Sequence, residues 1–149
     1  MGIRPYLIVG FSVLAHVVLG RWVSPWLMPD LTLLSVLLTM LQIPGYPLGP
    51  ALLGGVLAMF LAVHHPVLIG LAYLGAGWVV KWLAAWWDVT GVSMQRMAVG
   101  VAEGLLLTVL FLLSAPMTGG LLLLGGLRLA LTILCLPLVR AVVVRVIPV

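Results

Sequence analysis

The residues able to do chemistry in this chain are few. It has three acidic residues, three histidines and one cysteine. Lys81, Glu103 and Arg128 stand inside long apolar runs, where a charge is expensive and marks a functional or structural site by default. Lys81 precedes Asp88 by seven residues and Glu103 follows Ser93 by ten. At a helical rise of about 1.5 Å per residue, both fall ~10–15 Å in from the same edge of a helix pair. The spacing predicts that Lys81 and Glu103 pair across two neighbouring helices, with Arg128 approaching the same carboxylate from the other side. A proton or substrate relay needs several titratable groups in series, and only one acid lies deep. His16 falls in the middle of a helix, as a neutral, hydrogen-bonded residue of the bundle. His64 and His65 are adjacent, so on a helix they point about 100° apart and do not share an ion easily. They read as loop residues. Cys135 has no partner for a disulfide. The patterns HExxH, GxSxG and the P-loop are absent, as are paired catalytic aspartates. No catalytic, metal or cofactor site is expected.

The elements that position these residues follow from composition. The chain is 64% hydrophobic and 7% charged, with mean hydropathy +1.35. A soluble domain of 149 residues cannot cover itself with so little polar surface. Apolar runs of about 20 residues recur, each long enough to cross a bilayer as a helix. The expectation is a single integral membrane domain over residues 1–149, all-α, a bundle of six transmembrane helices. The net charge of +4 does not point to nucleic acid, because the basic residues sit singly at segment ends, where they set topology. The first apolar run lacks a small-x-small cleavage site and reads as an uncleaved helix.

The helices are expected at about Tyr6–Val23, Pro29-Asp30 to Gln42, Leu48–Val63, Pro66–Trp87, Ser93–Ala115 and Gly119–Val146. The breaks are Pro, Gly or polar punctuation. Asp30 should meet the unpaired amides at its helix N-terminus. Pro137 should kink or end the membrane part of the last helix. With six helices both ends face one side, which holds Arg4, Arg96, Arg140 and Arg145. The positive-inside rule makes that side cytoplasmic. Small residues recur on single faces: Ala51, Gly55, Ala58 and Ala62; Gly70, Gly77 and Ala84, with Lys81; and Gly100 with Gly104 beside Glu103. Such faces let helix backbones approach in lipid. Ser12, His16 and Gly20 align on the first helix, and Gly125, Arg128, Thr132 and Cys135 on the last. Trp78, Trp82 and Trp86 form a separate stripe, an anchor in the lipid interface or, alternatively, a partner-binding ridge.

Pro29-Asp30 followed by Leu-Thr-Leu-Leu-Ser-Val-Leu-Leu resembles the second helix of the MreD family of rod shape-determining membrane proteins. Gly49–Leu61, the restart at Pro66-Val-Leu-Ile-Gly-Leu and the closing Arg128-Leu-Ala-Leu…Leu-Pro-Leu-Val-Arg140 resemble that family as well. An Asp frequent in the family's third helix is replaced here by Met59. The resemblance implies a fold similar to the substrate-binding subunits of energy-coupling-factor transporters. It also implies a non-catalytic scaffold in the inner (cytoplasmic) membrane of a bacterium, within the cell-elongation complex. Its partner would be an MreC-like membrane protein, in a complex with RodA and a penicillin-binding synthase, acting on cell shape and peptidoglycan synthesis. The alternative is a vitamin-capturing transporter subunit, which needs convergent polar groups near its outer mouth. The expected partner surface is the outer interface at Trp22, Trp26, Pro29 and Asp30.

Overall fold

The structure is a computed structural model. It describes all residues except 1, 25, 26, 44, 46, 63, 89, 90, 114–117, 148 and 149. The described residues form six α-helices and no strand: α1 Arg4–Leu19, α2 Leu31–Gln42, α3 Gly49–Leu61, α4 Pro66–Trp86, α5 Val92–Leu113 and α6 Gly119–Val146. Three of them, α4, α5 and α6, are long and apolar enough to cross a membrane. The first three are shorter, at 16, 12 and 13 residues.

Local sequence explains where the helices begin. Proline occupies the first turn of α1, α3 and α4, where its missing N–H would have had no intrahelical partner. Before α4, His65 adopts a left-handed conformation with φ 51°, a turn that re-aims the chain ahead of Pro66. Asp30 caps α2: its Oδ1 accepts the Leu33 N–H at 2.8 Å. The helix at the N-terminus stops at Leu19 rather than Val23. Pro137 does not end α6, which continues to Val146. A helix packed among apolar neighbours tolerates the one backbone bond that proline removes.

The core is organised around α2. Every residue from Thr32 to Met40 is buried. The other five helices all pack on α2, and they follow one another around it in the order α1, α3, α4, α5, α6. α1 and α6 do not pack on each other to a comparable extent, so the ring is open between them. The tightest seam joins α3 to α4. A Cβ added to Gly55 would lie 2.9 Å from the Gly70 carbonyl oxygen, and one added to Gly77 would lie 2.6 Å from the Ala51 Cβ. Ala51, Gly55 and Ala58 are buried on one stripe, as small-residue packing in lipid requires. Met59 packs into the notch over Gly70. The α5 glycines behave differently. Gly100 and Gly104 lie at the margin of the buried face, and a Cβ on Gly104 would meet nothing within 4 Å.

Candidate functional site: a buried ionic cluster beside a small cavity

The cluster starts at the N-terminus of α2. Asp30 is 0% exposed and each of its polar atoms is used. Oδ1 caps the helix through Leu33. Oδ2 accepts from the Tyr73 hydroxyl at 2.7 Å and from Arg128 Nη2 at 2.8 Å. Its own backbone N–H donates to Thr132 Oγ1 at 3.1 Å. The positive end of the α2 dipole adds to the stabilisation of its charge. Arg128 also reaches α5, where Nε donates to Glu103 Oε1 at 2.9 Å. One guanidinium thus bridges two carboxylates, and α2, α4, α5 and α6 each supply a member of the cluster. The fork geometry of arginine allows this, whereas a lysine would present a single point charge. Glu103 Oε2 is buried without a hydrogen-bond partner.

Beside the cluster lies a cavity of about 170 Å³, whose polar lining is His16, Asp30, Thr32, Tyr73 and Arg128. His16 Nδ1 faces no hydrogen-bond partner and is buried. Ala58, Ile69 and Leu106 supply part of the apolar wall. The volume holds about five waters at ~30 Å³ each. It is below the range of about 300–1,000 Å³ typical of pockets for drug-sized ligands. Chemically the arrangement is a staple with a polar antechamber. Asp30 lines the cavity with its carboxylate shared among Leu33, Tyr73 and Arg128, and Glu103 is not among the lining residues.

The expected site residues separate into two groups. His16, Glu103 and Arg128 come together as intramembrane polar residues, and Asp30 joins them. Lys81 does not. It is exposed, and Glu103 pairs with Arg128 instead. The reason is angular. Val80 is buried on the inner face of α4, and consecutive helical residues point about 100° apart. Lys81 therefore flanks that face despite sharing a stripe with Gly70 and Gly77. The expected partner surface changes as well. Trp22 is 85% exposed and Pro29 is half-buried, but Asp30 is sealed inside and offers nothing to a partner. Trp26 lies outside the described residues.

Tyr73 and Thr132 are cluster members that sequence reasoning did not single out. Thr132 stood on the expected inner stripe of α6 without a role. Tyr73 carried a signal: it falls between Gly70 and Gly77 on the small-residue face of α4. A tyrosine hydroxyl on an inward face needs a buried partner. The long separation of Asp30 from Arg128 in sequence hid the pairing. No family model, no curated protein and no solved structure matches this chain.

Proposed function

We propose that this chain is a non-catalytic, six-span scaffold of the bacterial inner membrane that binds an MreC-like partner in the cell-elongation complex, with both termini in the cytoplasm. The observation that carries the reading is the placement of the Pro29-Asp30 motif. The same residues that resemble the MreD family sit where α2, α4, α5 and α6 meet, with Asp30 as the anchor of the buried cluster. A motif built so deeply into the fold supports a shared architecture better than a surface match would. The bridging of both carboxylates by one guanidinium supports a structural role for the charges over turnover. Partner contact then falls to exposed apolar positions, among which Trp22 and the Trp78, Trp82 and Trp86 stripe stand out at 54–85% exposure.

The cavity favours a second reading, a vitamin-capturing subunit, because polar side chains converge on it. Its volume of about 170 Å³ is small for such a ligand. One experiment separates the two. Deletion in a rod-shaped host should round the cells, and purification in mild detergent should bring down an MreC-like protein. Unchanged shape after deletion, together with a vitamin bound tightly to the purified protein, would replace the scaffold with the transporter subunit.

A further inference from the structure

The opening between α1 and α6 is a groove of about 480 Å³ lined by apolar side chains, with Phe11 on one wall, Leu138 on the other and Ser35 at the floor. Its depth decides what fits. If the gap were as wide as a helix, about 10 Å across with side chains, the floor helix would lie bare. Instead the floor residue Ser35 is 1% exposed, with Leu31 beside it half-buried. The walls stand proud of this floor, with Phe11 at 71% and Leu138 at 72% exposure. The groove is a narrow slot, and along α6 it runs from Leu138 to Val146, about 12 Å at the helical rise. A flexible hydrocarbon chain fits such a slot and a helix backbone does not.

One end of the slot is basic. Leu7 of α1 and Val146 of α6 both line it, so the start of α1 and the end of α6 share that end. Arg4 lies on the same stripe of α1 as Leu7, Ile8 and Phe11, at positions i, i+3, i+4 and i+7. Arg145 follows the lining residue Val142 by three. Both arginines are exposed. The three acidic residues are Asp30, Asp88 and Glu103, and none lies on α1 or α6.

We infer that the slot between α1 and α6 holds one acyl chain of an anionic phospholipid, whose phosphate rests on Arg4 and Arg145. The inference is independent of the partner-binding reading, since it needs only the slot and its basic end. It is tested by native mass spectrometry of the full chain, delipidated and titrated with phosphatidylglycerol or phosphatidylcholine of identical acyl chains. The wild type should take one phosphatidylglycerol about 30-fold more tightly, the effect expected of two basic side chains at a headgroup. Arg4→Gln with Arg145→Gln, both on the surface, should erase that preference and leave weak binding of either lipid. Val142→Trp, which fills the slot, should remove the bound lipid while the protein still elutes as a single species. Equal binding of the two lipids by the wild type overturns the inference, as does a preference that survives the double arginine change. A photo-crosslinker at Leu138 that traps a protein segment in native membranes, and no lipid, overturns it in favour of a partner helix.

Discussion

Arg128 compensates two buried carboxylates at once, and that arithmetic governs what substitution does. Removing it leaves Asp30 and Glu103 uncompensated in a low-dielectric interior. Arg128→Leu should cost at least about 3–5 kcal/mol, seen as loss of monodisperse protein in detergent and a collapse of the thermal midpoint. Glu103→Gln keeps an oxygen for Arg128 Nε and leaves Arg128 paired with Asp30, so its loss should be clearly smaller in the same assay. Lys81→Leu should change stability by less than about 0.5 kcal/mol, as an exposed position away from the cluster. It should not rescue Glu103→Leu, because the two do not interact. The intramembrane charges were legible in the sequence as a set, since polar residues in apolar runs announce themselves. Their pairing was not. Helical depth placed Lys81 and Glu103 at one level, but depth is one coordinate, and the rotation of α4 about its own axis turns Lys81 outward. Asp30 was legible as a cap from Pro29-Asp30. Its second role depended on α6 passing over the N-terminus of α2, which no local pattern encodes.

Among the helices, glycine positions that look alike in sequence differ sharply in what surrounds them. At Gly55 a methyl group runs into the backbone of α4, and backbone does not yield as a flexible side chain would. Gly55→Ala should destabilise the α3–α4 seam by about 1–3 kcal/mol, the usual range for overpacking. Gly104→Ala meets open space. It should be neutral, or stabilising by up to about 1 kcal/mol through helix propensity. Thermal melts of the two variants in one detergent check both expectations. Six helices, with boundaries within a few residues, could be read from apolar runs and Pro or Gly breaks. The small-residue stripes could be read as well, because a period near 3.6 is a local property. Which stripe meets which neighbour is settled only by packing. The glycines of α3 face α4, while the Gly100 and Gly104 pair of α5 stands at the margin of its helix's buried face.

At the scale of the whole molecule, five helices wrapped around α2 explain how a helix of 12 residues serves in a bundle whose α4, α5 and α6 are long enough to cross a bilayer. At about 18 Å it is shorter than the ~30 Å hydrocarbon layer. Its surroundings are protein, so its length is not set by lipid. The start of α1 and the end of α6 share one end of the groove, as the proposed topology requires. Single cysteines at Gly2 and Ile147, in a Cys135→Ser background, should both resist a membrane-impermeant thiol reagent added from outside, and outside labelling of either would refute that topology. The wrapped helix also has a consequence for biogenesis. Translation delivers α2 early and Arg128 and Thr132, its partners on α6, last. Until α6 emerges, the carboxylate of Asp30 has no counter-charge, and a ribosome-bound chain holds an unfinished centre. Assembly therefore cannot close helix by helix in order of synthesis. It waits for the last segment, and chains stopped before residue 128 should be cleared by membrane proteases while full-length chains persist.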